Sequence, residues 1–495
     1  MFIFETYLKE IKHEVLKNIA ILAKEGRLNT DDLFNIHTYI VDKDKPKTRC
    51  CVYKERAIVD QRVKLAAGYL PVGEDNNNLV DIKGNNQIIY ILEAACDRCP
   101  LNKYTVTEAC RGCVAHKCTE VCPTKAVTRV AGKAYINQDL CKECGLCKKN
   151  CPYDAISEVL RPCKVVCPTG ALTVNTEDRR ALITTEDCVQ CGACMNACPF
   201  GAISDKSLIS PVAEKLGSGV KMIALVAPAL AGQFGPGVTM GQVKTALKNI
   251  GFIDMLEVSC GADIVTVHET LEFAKRMEEG EDFMTSSCCP GFLSYIEKKF
   301  PDLVNKASST VSPMIALGRL VKETYADTKV VFIGPCTAKK AEIKRDGLKG
   351  TIDYVLTFEE LSALLDAFNM DPEHCVETTV DDGSIFGRGF GAAGGLTAAI
   401  ENYIATENID ASFKPIKAIG SQDVKKIMTM AKVGRLNNNF IEGMMCEGGC
   451  IGGAGTILPP LSTKGTFTKE NQKATAKTVS TSINLKDFEN IDLER

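Results

Sequence analysis

Two periodicities alternate along the second half of the chain. The runs "KMIALVAP" (221–228) and "KVVFIGPC" (329–336) are short, apolar and β-rich, as buried strands are. The stretches "GQVKTALKNIGF" and "SPMIALGRLVKETYAD" instead repeat their apolar residues at helical spacing. This alternation predicts α/β layers over residues 206–462. Cys336 falls at the end of its predicted strand, where open α/β sheets place their sites. Pro290 suits the first position of a helix through "GFLSYIEKKF". Residues 1–90 predict a mostly helical region; its segment "TRCCVYKERAIVDQRVKLAAG" is basic and suggests no chemistry. Residues 463–495 are polar and rich in Thr and Lys, the pattern of a C-terminal tail.

Residues 91–205 are organised by cysteine rather than by hydrophobic period. The string C-P-x-x-A-apolar recurs from Cys122, Cys151, Cys167 and Cys198, which marks a duplicated unit. Cys141, Cys144 and Cys147 precede Cys151, and Cys188, Cys191 and Cys194 precede Cys198. Both sets read C-x2-C-x2-C-x3-C-P, the pattern of a 4Fe–4S ferredoxin. Cys110, Cys113 and Cys118 precede Cys122 with a longer middle spacing.

Cys163 and Cys167 lack a front half, and the spare pair Cys96 and Cys99 completes them across the intervening unit. In paired motifs the fourth cysteine serves the other cluster. The resulting sets are Cys110, Cys113, Cys118 with Cys151; Cys141, Cys144, Cys147 with Cys122; Cys188, Cys191, Cys194 with Cys167; and Cys96, Cys99, Cys163 with Cys198. These 16 cysteines predict four accessory 4Fe–4S clusters in an α+β ferredoxin-like region. A structural zinc site is the alternative for Cys96, Cys99, Cys163 and Cys167. The CPxxA strings from Cys122 and Cys167 are each followed by strand, turn, strand, an acid and a cysteine, so a hairpin is expected after each of them. His116 sits among these cysteines, but a complete quartet leaves it no ligand role.

Charge and composition narrow the class. The net charge of -3 gives no basic surplus for nucleic acid or an anionic membrane. No apolar stretch approaches the ~20 residues of a spanning helix, and the N-terminus has no secretory pattern. A cytoplasmic protein with no nucleic-acid or membrane partner is expected. In such a chain 25 cysteines point to metal rather than to disulfides.

Three further stretches concentrate cysteine: "TSSCCPGF", "GPCTAKKAE" and "EGMMCEGGCIGGAG". In combination they resemble the three signature motifs of FeFe-hydrogenases, with similarity over most of residues 206–460. The resemblance implies reversible reduction of protons to H2 at an H-cluster. That cofactor is a 4Fe–4S cubane joined to a two-iron subsite with CO, CN and a bridging dithiolate. It implies that Cys289, Cys336, Cys446 and Cys450 hold the cubane, with Cys450 bridging, and that Cys288 remains a free thiol. Lys339 would donate to a cyanide and Glu342 would orient its loop. Pro228, Ala229, Phe390, Gly391 and Met444 would line the pocket. Glu269, Glu272 and Arg276 share one helical face, ordinarily a solvated one. The resemblance makes them, with Ser308, a proton relay to Cys288.

The implied partners are a ferredoxin or similar small redox carrier, H2 and protons, and the hydrogenase maturation proteins. Ala338, Ala229, Gly334 and Phe292 depart from residues common in the family. The alternatives are a hydrogen sensor and a non-catalytic hydrogenase-like iron–sulfur protein; the adjacent pair Cys288–Cys289 favours the enzyme. Cys50, Cys51, Cys260 and Cys375 are expected to be buried or incidental thiols.

Overall fold

The computed structural model describes residues 4–42, 45–71, 79–482 and 485–495. Two parallel sheets carry the C-terminal half. The first has the order Asp254–Glu257, Met222–Val226, Lys329–Ile333, Tyr354–Leu356. The second has the order Met284–Thr285, Phe440–Met444, Pro415–Ile419. Met222–Val226 is buried at every position, as a central parallel strand covered on both faces must be. Helices cover the sheets. Met240–Asn249 and Phe358–Ala367 each start at a capping box, Thr239 with Gln242 and Thr357 with Glu360. The helix Pro290–Lys299 begins at its proline. The protein has an α/β C-terminal half and a ferredoxin-like region of paired short strands.

The accessory region is built from paired short strands. The hairpins Val127–Val130/Lys133–Ile136 and Leu172–Val174/Ala181–Ile183 follow Cys122 and Cys167 as the sequence pattern requires. Each unit is closed by a second antiparallel pair, Tyr104–Val106 with Ile156–Glu158 and Ile89–Ile91 with Ile203–Asp205. The first unit is therefore inserted into the second, between Cys99 and Cys163. Arg161 holds the joint: its guanidinium donates to the carbonyls of Cys99, Pro100 and Arg179.

The N-terminal region is helical and packs into the catalytic core. Helices α1 (Tyr7–Lys24), α2 (Thr30–Ile40) and α3 (Val52–Ala67) account for most of it. On α1, Ile11, Val15, Leu16, Ile19, Ala20 and Ala23 face the helices Ile209–Gly217 and Phe358–Ala367. Four large aliphatic side chains buried this way contribute roughly 6–12 kcal/mol before the entropy of ordering is counted.

The C-terminal segment differs from the expected polar tail. Pro460–Gln472 is a helix whose Thr463 and Phe467 are buried, and Phe488 and Leu493 also enter the core. Glu494 bridges to Thr310. Most of the polar residues that suggest a tail occupy the helix's outer face, where Leu461 also lies exposed, while Phe467 enters the core.

Candidate functional site

The residues of the three cysteine motifs converge because each follows the carboxyl end of a parallel strand. Ala227 and Pro228 follow Met222–Val226, Cys336 follows Lys329–Ile333, Cys288 and Cys289 follow Met284–Thr285, and Cys446 follows Phe440–Met444. They enclose a cavity of about 110 Å³, room for more than a single water. Its walls include Pro228, Ala229, Phe390, Gly391, Met444, Lys339, Cys288, Cys289, Cys336, Cys446 and Cys450. Close approach is needed here: a Cβ on Gly449 would lie 2.5 Å from Ala393 N, and Gly449 itself has φ +86°.

The adjacent cysteines diverge. Cys289 neighbours Cys336, Cys446 and Cys450, whereas Cys288 lies between those cysteines and the acids Glu269 and Glu442. Burial pushes Cys336 up to about 11 and Cys450 up to about 12, and lifts Cys446 well above the ordinary thiol range; the neighbouring thiolates add to each rise. To ionise together, these thiols would need positive charge beyond the single ammonium of Lys339, as a bound metal centre would supply. Among the described residues no three Cys, His, Asp or Glu side chains converge as a single metal ion demands. Lys339 is 9% exposed; it forms an ion pair with Glu342 at 2.7 Å and points toward the Cys288 carbonyl at 3.5 Å.

Glu269, Glu272 and Arg276 lie on the helix Ser259–Glu278, and the face they share turns inward. Glu269 is fully buried, and neither carboxylate oxygen has a well-formed hydrogen bond among the described residues, although the Ser287 amide and the Ser308 hydroxyl lie near it. Burial, aided by the Glu272 charge, pushes Glu269 up to about 8; the Ser287 amide and Ser308 hydroxyl pull the other way without offsetting it. Glu272 is better served. It accepts from Ser308 Oγ at 2.5 Å, Ser309 N–H at 2.9 Å, Thr310 Oγ1 at 3.2 Å and Arg276 Nη2 at 2.6 Å. Burial opposes its charge, but these contacts hold it below the usual carboxylate range. The series Cys288, Glu269, Ser308, Glu272, Arg276 thus runs from the cavity wall outward.

Behind the cavity stand the accessory cysteines. Cys191 neighbours Cys336 and Cys446. Cys167, Cys188, Cys191 and Cys194 share one locus, and Cys194 neighbours Cys163. Cys99, Cys163 and Cys198 share a second, with Cys96 beside Cys99. In the first unit Cys122, Cys141 and Cys147 group together, with Cys144 on the same ligand loop. Cys110, Cys113, Cys118 and Cys151 enclose a small cavity of their own.

Two residues escape the sequence reading. Glu442, fully buried, accepts from Gly394 N–H at 2.8 Å and Thr397 N–H at 3.0 Å, fixing the loop that carries Gly391. An acid four residues ahead of Cys446 was its only signal. Lys340, also fully buried, pairs with Asp205 and Glu360, each at 2.8 Å. Asp205 also pairs with Lys12 of α1 at 3.2 Å. Nothing in "AKKAE" distinguishes this structural lysine from Lys339. Of the unassigned thiols, Cys260 is buried and donates to the Glu257 carbonyl, Cys375 is half-buried, and Cys50 and Cys51 are exposed.

Comparison with known proteins agrees with this arrangement. Residues 220–454 match the family described as Iron only hydrogenase large subunit, C-terminal domain. Residues 134–157 match the 4Fe-4S binding domain, and residues 157–209 match the LdpA Fe-S cluster-binding domain. The chain is a divergent FeFe-hydrogenase-like protein. It is 30% identical to Iron hydrogenase 1 of Clostridium pasteurianum, over 45% of this chain and 46% of that one. It is 29% identical to the periplasmic [Fe] hydrogenase large subunit of Nitratidesulfovibrio vulgaris, over 52% and 73% of the two chains. A probable cytosolic Fe-S cluster assembly factor of Aedes aegypti is 24% identical, over 46% and 58%. The chain thus spans about half to three quarters of the length of these relatives. Among solved structures, an apo [FeFe]-hydrogenase HydA1 from Chlamydomonas reinhardtii has a TM-score of 0.46 and 22% identity, over 54% of this chain and 88% of that one. No helix among the described residues is long and apolar enough to cross a membrane.

Proposed function

We propose that this protein catalyses the reversible reduction of two protons by two electrons to H2. Cys289, Cys336, Cys446 and Cys450 would hold the cubane of an H-cluster, and Lys339, Pro228, Ala229, Phe390, Gly391 and Met444 would surround its two-iron part. When bound, that cofactor supplies the site where protons and electrons combine. The chain's own residues bring each to it. Cys288 is the terminal proton donor at the cavity wall, since buried thiols in this site stay protonated. Glu269 refills Cys288 and is refilled from Glu272 by way of Ser308, with Arg276 holding the outer carboxylate. Pro228, Phe390 and Met444 exclude bulk water.

The sixteen accessory cysteines would hold four 4Fe–4S clusters. The clusters run in the order Cys110 set, Cys141 set, Cys96 set, Cys188 set, ending beside Cys191 and the cubane. Hydrogenase maturation proteins would install the two-iron part.

The observation that carries this reading is the buried Glu269 carboxylate behind Cys288, which no well-formed hydrogen bond among the described residues satisfies. A scaffold that only stored clusters would have no use for an orphan acid aimed past its ligands. Infrared spectra of anaerobically matured protein test it: CO and CN stretching bands with H2 turnover are expected. Accessory clusters without those bands would favour the second reading, an iron–sulfur protein without hydrogen chemistry. That reading is supported by the similarity to the Aedes aegypti assembly factor.

A further inference from the structure

The four C-P-x-x-A strings fold alike but are not packed alike. The residue ahead of each alanine, Lys125, Asp154, Gly170 or Gly201, takes the left-handed conformation. A Cβ on Gly170 would meet nothing within 4 Å. On Gly201 it would run into Leu8 of α1 and lie 2.7 Å from Arg62 Nη2 of α3. The Arg62 guanidinium donates to the Gly201 carbonyl. Arg49, just ahead of α3, donates through Nη2 to the carbonyls of Phe200 at 3.0 Å and Ala95 at 3.5 Å, and is balanced by Asp97 at 3.9 Å. The N-terminal helices therefore close on the loops that carry Cys96 and Cys198.

Arginine burial is concentrated at the same place. The buried arginines among the described residues are Arg62, Arg161 and Arg388. Arg388 pairs with Glu257 at 2.8 Å. Neither Arg62 nor Arg161 has an acid within ion-pair distance among the described residues; both donate to backbone carbonyls, and Arg62 Nε has no partner there. Burial pulls Arg62 down to about 10, so it remains a cation at neutral pH; Glu359, whose charge opposes that fall, is itself bound by Lys12. A buried cation without an acid is destabilising unless another anion stands beside it. Here the neighbouring groups are sulfurs. The charge of Arg62 reaches Cys198, and that of Arg161 reaches Cys99 and Cys163. The cations whose charge reaches the Cys110 and Cys188 sets, Arg129, Lys133 and Lys298, are instead exposed, where water screens them.

We propose that Arg62 and Arg161 are the counter-charges of the cluster held by Cys96, Cys99, Cys163 and Cys198, and that they raise its reduction potential above those of the other accessory clusters. Reduction adds negative charge to an iron–sulfur cluster, so buried cations beside it favour the reduced form. The cluster takes an electron from the Cys141 set and gives one to the Cys188 set; no bond forms or breaks and no proton moves. H2 formation requires two electrons, while the accessory clusters move them singly. A cluster that stays reduced between transfers keeps an electron waiting one step from the Cys188 set. The N-terminal helices, which supply Arg62, thereby act on electron flow as well as on packing. The inference rests on the proposed cluster at these four cysteines and not on the two-iron part.

The test uses the full chain with its iron–sulfur clusters reconstituted and no two-iron part. Electron paramagnetic resonance follows the reduced clusters through a mediated redox titration. The signal lost in Cys96→Ser/Cys99→Ser identifies the cluster. In the wild type it should be the first accessory-cluster signal to appear as the potential is lowered. Arg62→Gln and Arg161→Gln remove the charge and keep an amide donor. In each, the reduced-to-oxidised ratio of that cluster at a fixed potential should fall about tenfold or more, which for one electron is a shift of about 59 mV. Iron content and the midpoints of the other signals should not change, and Arg62→Lys should restore most of the potential. A wild-type signal that titrates with or below the other accessory clusters overturns the inference, and this is readable even where the glutamine variants lose iron. So does a wild-type midpoint in both glutamine variants, or an Arg62→Lys midpoint as low as that of Arg62→Gln. If Cys96→Ser/Cys99→Ser loses neither iron nor a signal, the cluster assignment fails and the inference with it. An unmoved potential with the cluster present refutes the inference alone.

Discussion

Cys288 and Cys289 show how adjacent side chains in one motif acquire opposite tasks. The strand end before them and the helix after Pro290 turn one thiol to the cavity's cysteine cluster and the other to Glu269. Cys288→Ala should lower H2 turnover by roughly 10²–10⁴-fold, the usual worth of a positioned acid. Iron content and the CO and CN bands should persist. Loss of those bands would make Cys288 a ligand instead. Glu269 has a thermodynamic signature as well. Its folded-state pKa, about 8, lies above the unfolded value near 4.5, so the folded state holds the proton more tightly. The contribution to stability is fully present below about pH 4.5 and is lost as pH rises toward 8. Glu269→Gln should remove that part of the pH dependence in denaturant unfolding of the holoprotein and should slow turnover. An unchanged pH profile would show that Glu269 is solvated after all.

At the scale of the element, the short helix Ala338–Glu342 carries two lysines with different duties. Lys339 faces the cavity. Lys340 is locked between the last strand of the accessory region and the helix Phe358–Ala367, where Asp205 and Glu360 neutralise it. Removing one partner of a buried ion pair typically costs about 3–5 kcal/mol. Lys340→Ala should therefore lower the urea midpoint markedly, whereas Lys339→Ala should reduce two-iron content with a smaller effect on unfolding. Equal unfolding midpoints would contradict this division. Helix α1 is the second such element. Leu16 is 3% exposed against the catalytic core, so Leu16→Ala should cost about 2–5 kcal/mol. If residues 1–71 formed an independent appendage, that change would leave the catalytic half's unfolding unaltered.

For the whole molecule, metal content is the discriminating quantity. Protein made without the maturation machinery should bind about twenty iron atoms per chain, from five cubanes. Cys96→Ser/Cys99→Ser should bind about sixteen and keep the remaining visible absorbance. Unchanged iron in that variant would refute the completion of the orphan pair Cys163/Cys167 across the inserted unit. Truncation after residue 462 bears on the same scale. The segment buries Thr463, Phe467, Phe488 and Leu493, so its loss should expose core surface and lower the thermal midpoint.

What was legible in the sequence is what is local. The repeated cysteine strings and the stretches after them are local, so the two hairpins and the insertion of one ferredoxin-like unit in another could be read from spacing alone. Buried strands must be continuously apolar, so the layered class could be read as well. Resemblance, rather than pattern, supplied the roles of Cys288, Lys339 and Glu269. Contacts between residues hundreds of positions apart were decided only by the tertiary structure. A lysine's charge does not reveal its burial: Lys340 meets Asp205 and Glu360 only once three regions have packed together. Glu442 and the helix Pro460–Gln472 are polar in sequence and buried in part or whole, because their hydrogen bonds and few apolar side chains find partners only in the assembled core.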